Sequence, residues 1–410
     1  MTSSTDRRRP ALLVLAYLAF VSLGLPDSIL GVAWPSLRES FALPQALLGA
    51  PLASAATTYF LSGLLAGRLM RAMGVGGLLA GSTLLVTLGV SGYASAPIFI
   101  VFLIAACIVG FGSGAIDSGL NSYAAHHFGA RHMTWLHAAY SAGAALGPVI
   151  MTAMLARGAG WRAGYTVIGV ALGLLAVAFV VTRRQWSNGQ TSAPVADSHG
   201  AASVEPAQEA PSASSGWSVL RSSRVWLQIV LFFVYTGVEV TAGQWSYTVL
   251  VEARGVDPTT AGAWVSFYWA SLLAGRVVLG FIVERVGTVR LLRFGTVVAV
   301  MGALLFAAPG LPVWVGAIGL GVLGFALAPI FPGLMAETPR RVGATAAPHA
   351  VGFQVSAGTA GVAVVPSVAG LLGEKLGLVA IAPWIAVCAV LLLLLHEGLI
   401  AKADRGPPTE

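Results

Sequence analysis

The 410-residue chain is 57% apolar and 10% charged, carries a formal net charge of +7, and has a mean hydropathy of +0.82. Ordinary globular domains keep about a quarter of their residues charged, so this composition excludes a soluble domain and points to a lipid bilayer as the solvent. Cys107 and Cys388 both lie inside apolar runs, which excludes a disulfide framework and leaves each to act as a small hydrophobe.

The N-terminal MTSSTDRRRP opens like the basic region of a signal peptide. The apolar run behind it outlasts the roughly 7–15 residues of a signal core, and no small-residue cleavage pattern follows. It therefore reads as the cytoplasmic flank of a first membrane span. Apolar runs broken at Gly, Pro and charge clusters give six candidate spans, at 10–33, 47–70, 76–94, 97–123, 133–156 and 165–182. Most are close to the ~20 residues needed to cross a bilayer core. The Ser-, Ala- and Pro-rich stretch 187–216 holds too little apolar surface to fold and reads as a flexible cytoplasmic linker. Six more spans follow at 225–251, 261–283, 291–308, 311–335, 350–372 and 380–400. The expected fold class is an all-α membrane protein of twelve transmembrane helices, with six-helix bundles over 1–186 and 217–410.

With both termini in the cytoplasm, Arg38, Arg157, Arg162, Arg254 and Lys375 are the basic residues left outside, out of 23, and Arg276 lies within a span. The rest fall inside, as the positive-inside rule requires. The net charge therefore reports topology in a cell (plasma or inner) membrane, with no nucleic-acid partner. The halves also echo each other. LLAGR occurs at 64–68 and 272–276, Gly67 and Gly74 recur as Gly280 and Gly287, Gly24 recurs as Gly237, and GAALGP at Gly143 matches GVAVVP at Gly361. Parallel repeats of this kind place a substrate site at their interface, near the midplane.

Three acids interrupt the apolar runs. An ionised Asp117 facing lipid would cost roughly 2.5–3.5 kcal/mol on the insertion scale, so it is expected to face the bundle interior. Asn121, four residues on, shares its face, and Asp117 lies ~13 Å in from the cytoplasmic side counted from His126. A carboxyl so placed suits binding and release of a cation; the plain alternative is a permanently hydrogen-bonded structural acid. Asp27 follows Gly24 and Pro26, a pair expected to interrupt span one and free backbone carbonyls. Glu239 sits in span seven at nearly the same repeat position as Asp27. Arg276 is close enough to the span end to snorkel. His126, His127, His132 and His137 lack the Cys or acid cluster that would complete a zinc site, so no metal or cofactor is expected.

GFIVERVGTVR, residues 280–290, resembles the G-x-x-x-D-R-x-G-R-R loop of the major facilitator superfamily, with Glu284 in the acidic place. The first-half equivalent, GRLMRAMG, has Arg71 where an acid belongs. The resemblance implies the pseudo-symmetric major facilitator fold and a gating role for Gly280, Glu284, Arg285 and Gly287. GAIDSGLNSY with LHAAYSAGAALGP, and VYTGVEVTAGQW, SFYWASLLAGR and GFALAPIFP, resemble the fourth, fifth, seventh, eighth and tenth spans of the fucose and glucose cation-symporter branch. This implies uptake of a small solute, a sugar or similar polyhydroxylated compound, coupled to a proton or sodium ion by alternating access.

Sugars need polar groups for each hydroxyl and flat apolar faces for their C–H surfaces. Asn121, His137, Gln244 and Gln354 are candidates for the first task, Tyr140, Trp245, Tyr268 and Trp269 for the second, and Asp117, Asp27 and Glu239 for the coupling cation. Gln244 and Trp245 share a face with Glu239 only if span seven breaks near Gly243, which is therefore expected. GAALGPVIMT partly matches an antiporter signature, so a proton-driven drug or metabolite exporter of the same fold is the alternative. No catalytic triad, phosphate loop or metal spacing supports an enzyme. A monomer in the bilayer is expected.

Overall fold

The structure is a computed structural model that describes residues 4–128, 130–186, 216–343 and 346–404. Most of the expected linker, 187–215, and the C-terminal 405–410 lie outside the described residues. The described secondary structure is helical: α1 Ser4–Ser40, α2 Gly49–Ser95, α3 Phe99–His127, α4 Ala130–Ala156, α5 Gly160–Thr182 and α6 Ser223–Thr248. They are followed by α7 Pro258–Val286, α8 Thr288–Ala307, α9 Val313–Leu327, α10 Ile330–Val342, α11 Ala347–Leu376 and α12 Ile381–Asp404. A lipid core offers a backbone no water to bond, and a helix pairs most of its own N–H and C=O groups within the segment.

Three of these elements do not equal one crossing each. The 47 residues of α2 would extend ~70 Å, more than twice a hydrocarbon core of about 30 Å. It is interrupted at Gly74, whose φ of 69° and ψ of 165° are not helical, and the second and third spans lie on either side. Conversely α9 and α10 together form one 30-residue crossing, Val313–Val342, jointed at Ala328 and Pro329. With these assignments the helices make twelve crossings. Large apolar side chains stay exposed along them, among them Leu64, Leu88, Leu174, Val181 and Leu394, a surface that only lipid covers without cost.

The contacts form two compact units. One holds α1–α5 with Asp257–Ser266; the other holds α6, α8–α12 and α7 from Phe267 onward. Each unit repeats the same helix pair. In the first, α1 crosses α4 so closely that a methyl on Gly143 would lie 1.9 Å from the Val21 carbonyl oxygen. In the second, α6 crosses α11, and a methyl on Gly361 would lie 2.1 Å from the carbonyl oxygen of Phe233. Gly74 and Gly287 likewise occupy matching links and share positive φ, 69° and 89°, a conformation that only glycine adopts cheaply.

Two basic residues that run against the charge bias prove to be helix caps. Arg162 donates to the Ala96 carbonyl at 2.9 Å, at the end of α2, with its guanidinium 4.2 Å from the Trp161 ring centre. Arg254 donates to the Phe306 carbonyl at the end of α8 and lies 4.7 Å over the Phe306 ring. A cation at a helix C-terminus satisfies orphan carbonyls and meets the negative end of the dipole.

Candidate functional site

In the first unit the polar side chains of three helices converge on two carboxylates. Asp117, on α3, accepts a hydrogen bond from the Tyr59 hydroxyl of α2 at 2.8 Å and from Asn121 Nδ2 at 3.0 Å. Each carboxylate oxygen therefore has one neutral donor. Asn121 is one helical turn along, which is why it reaches the second oxygen. Its own Oδ1 is buried and has no hydrogen-bond partner among the described residues. On the neighbouring pair, Asp27 of α1 accepts a hydrogen bond from the Tyr140 hydroxyl of α4 at 2.9 Å, and Asp27 is exposed although it lies deep within a long apolar helix. The expected interruption at Gly24 and Pro26 is absent. Helix α1 runs through both residues, and the Ser28 hydroxyl donates back to the Gly24 carbonyl at 3.1 Å. Gly24 instead serves the crossing, since a methyl there would lie 2.1 Å from the Tyr140 carbonyl oxygen. The same crossing brings Tyr140 to Asp27.

His137 is exposed on α4, three residues before Tyr140, with its ring edge-on to Phe20 at 5.5 Å. Five residues earlier, His132 Nδ1 is 2.6 Å from the Tyr17 hydroxyl.

The second unit treats its acid differently. Glu239, on α6, accepts a hydrogen bond from the Tyr235 hydroxyl one turn earlier and pairs with the Arg276 guanidinium of α7 at 3.7 Å. The side chains of Arg276 and Glu239 are only 14% and 13% exposed, so the guanidinium is turned inward to an acid and does not snorkel. Two opposite charges buried together cost far less than either alone. The Tyr268 hydroxyl donates to the Glu239 backbone carbonyl at 2.8 Å and its ring meets Trp269 at 5.1 Å.

The expected break in span seven does not occur at Gly243. Helix α6 is continuous through it, and the irregularity is a π-helical turn at Val249–Ala253. Gly243 has a packing role: a methyl there would lie 2.3 Å from Trp269 Cζ2, so the indole rests on bare backbone. Trp269 Nε1 is buried with no acceptor among the described residues. Trp245 is fully buried and donates to the Pro366 carbonyl at 2.9 Å, fastening α6 to α11. Gln244 is buried beside it. Gln354 lies in a closed, fully buried network: its Nε2 donates to Gln228 Oε1 at 2.9 Å, and the Thr338 hydroxyl lies 3.0 and 3.1 Å from Oε1 of Gln228 and Gln354. That network joins α6, α10 and α11. Gly280, Glu284 and Arg285 are exposed on the last turns of α7, ahead of the positive-φ link at Gly287.

The structure thus gathers Asp27, Tyr140, Asp117 and Asn121 with Tyr59 in one unit, and Glu239, Tyr268 and Trp269 with Tyr235 and Arg276 in the other. Tyr59, Tyr235 and the pairing of Arg276 were missed in the sequence. Tyr235 carried a signal, its four-residue spacing from Glu239 on a helix; Tyr59 carried none.

Comparison with known proteins bears on the fold. At 14% identity the chain matches a solved D-xylose-proton symporter with a TM-score of 0.75, over 94% of this chain and 96% of that one. It matches the nucleoside transporter NupG at 13% identity with a TM-score of 0.74, over 94% and 98%. The E. coli fucose:proton symporter FucP matches at 17% identity with a TM-score of 0.62, over 95% and 98%. At such identities the likeness establishes the fold. A curated relative, Bypass of stop codon protein 6 of Saccharomyces cerevisiae, is 23% identical over 287 residues, 66% of this chain and 57% of the relative, so the match spans little more than half of that protein. The family model described as Major Facilitator Superfamily matches residues 16–315 and 229–409. With twelve helical crossings and a repeated helix pair, the chain belongs to the major facilitator superfamily of transporters.

Proposed function

We propose that the protein is a proton-coupled importer of a sugar or a similar polyhydroxylated small solute, working by alternating access. The observation that carries this reading is the Asp117 carboxylate, deep in an apolar helix and held by two neutral donors, Tyr59 and Asn121. Neutral donors let an acid gain and lose a proton without stranding a buried counter-charge, whereas an arginine partner would hold it ionised. Asp27, bonded to Tyr140 on the adjoining helix pair, is the second coupling carboxylate. Glu239, paired with Arg276 of α7, orders the second unit. The solute side of the reading is supported by the amide and aromatic groups near these acids, and by similar structures named for xylose, fucose and nucleosides.

The same reading places both termini in the cytoplasm of a cell membrane, with the two six-helix bundles 1–186 and 217–410 joined by 187–216 and the protein acting as a monomer. Gly280, Glu284, Arg285 and Gly287 gate the change of access. Counterflow in proteoliposomes, run against a panel of pentoses, hexoses, polyols, nucleosides and cationic drugs at several pH values, tests it. Exchange of one polyhydroxylated class with proton uptake fits the reading. Exchange of cationic drugs with proton release identifies an exporter instead, and dependence on sodium replaces the proton.

A further inference from the structure

The α1–α4 seam of the first unit carries more titratable groups than coupling at Asp27 needs, and they descend toward the start of both helices. Asp27 meets Tyr140 at 2.9 Å, His137 meets Phe20 at 5.5 Å, and His132 meets Tyr17 at 2.6 Å. Along α4 the steps are three and five residues, ~4.5 and ~7.5 Å of helical rise, and the five-residue step also turns about 140° around the axis. Both histidines nonetheless meet α1, at Phe20 and Tyr17, which lie three residues apart on one face of it. Water along α1 therefore has to link them. His137 is exposed and His132 half-buried. In the proposed topology this line ends at the cytoplasmic face.

We propose that His137, with the Tyr17–His132 pair beyond it, is the cytoplasmic release route for the coupling proton. The proposal rests on the proton-coupled reading above. The protonated carboxyl of Asp27 gives its proton, through water beside Tyr140, to a ring nitrogen of His137, leaving carboxylate and imidazolium. The imidazolium passes one proton on through the Tyr17–His132 pair to cytoplasmic water, and each ring returns to neutral. One proton leaves the acid and one reaches the cytoplasm. The titratable and amide groups on the helices packed in this unit include Tyr17 and Asp27 on α1, His132 and Tyr140 on α4, and Asp117, Asn121 and His127 on α3. From α5 the candidates are Arg162 and Tyr165, both at its opposite end. This assigns His137 to the proton and takes it away from the solute, where sequence reasoning had put it.

The test uses the full-length protein in proteoliposomes, with a transported sugar from the panel and an internal pH dye. In His137→Gln, the rate of sugar-driven proton delivery to the lumen should fall about 100-fold, the scale of a lost proton-transfer group. Sugar exchange at equal pH should fall far less, and imidazole in the lumen should restore part of the proton rate in His137→Ala. Tyr17→Phe, a milder change that keeps the ring, should slow proton delivery several-fold with exchange untouched, and it stands as the readout should the histidine variants not fold. Equal losses of exchange and proton delivery would make His137 a solute ligand and overturn the proposal, as would an unchanged proton rate. A parent protein that moves sugar with no proton at all would overturn the coupled reading itself, which is a separate result.

Discussion

Replacing Asp117 by Asn separates coupling from binding at one atom. The amide oxygen still accepts from the Tyr59 hydroxyl now 2.8 Å away, and Asn121, now 3.0 Å from the other oxygen, must turn its amide to accept from the new NH2 group. Hydrogen bonds to a charged group are worth ~1.5–3 kcal/mol and neutral ones ~0.5–1.5, so the two bonds weaken by about 1 kcal/mol each and the protein stays folded. The lost quantity is the gradient. Moving one charge across 100 mV is worth ~2.3 kcal/mol, and ~1.4 kcal/mol is a factor of ten, so one coupled proton sustains roughly a 50-fold accumulation. In proteoliposomes at an imposed 100 mV, negative inside, the parent should approach that ratio for labelled sugar. Asp117→Asn should equilibrate at about one while still exchanging sugar for sugar. If the variant concentrates sugar as the parent does, Asp117 does not carry the coupling charge.

Other expectations follow from particular contacts. Arg276→Gln leaves Glu239 buried without its cation and should cost about 3–5 kcal/mol, read as a lower melting temperature in detergent; Glu239→Gln combined with it should recover most of the loss. Trp245→Ala should reduce thermal stability by about 3–5 kcal/mol and alter solute affinity of the surviving protein far less, because its indole donates to the Pro366 carbonyl. Gly361→Ala should destabilise by about 1–3 kcal/mol from crowding at the α6–α11 crossing, whereas Gly352→Ala, with open space around it, should gain up to ~1 kcal/mol. Deleting part of 192–212 should leave transport within about twofold, since loop closure changes by only ~0.6 kcal/mol per halving of length.

Lipid made the architecture legible. A bilayer forces long apolar helices, so the spans could be read from composition, and Gly74 and Gly287 marked corresponding links because both need positive φ. The Asp117–Asn121 contact was legible too, because a four-residue helical spacing fixes it locally. What escaped was set by neighbours far away in sequence. Tyr59 reaches Asp117 across 58 positions, and nothing near Arg276 announces that Glu239 of another helix faces it. Gly243 misled for the same reason. A glycine that bends a helix and one that admits an indole look identical in sequence, and only Trp269 tells them apart. Pro26 likewise sits within a continuous α1, since a helix held on its flanks by α4 tolerates one missing donor.

In the proposed function, solute and proton move together in one direction through this protein. Lightly buffered proteoliposomes with no imposed gradient, given an external pulse of the transported sugar, test it directly through the external pH. Coupled import predicts a transient external alkalinisation that grows with the sugar taken up, collapses with a protonophore, and is absent in Asp117→Asn. Sugar entry with no pH change, or with acidification outside, would contradict it.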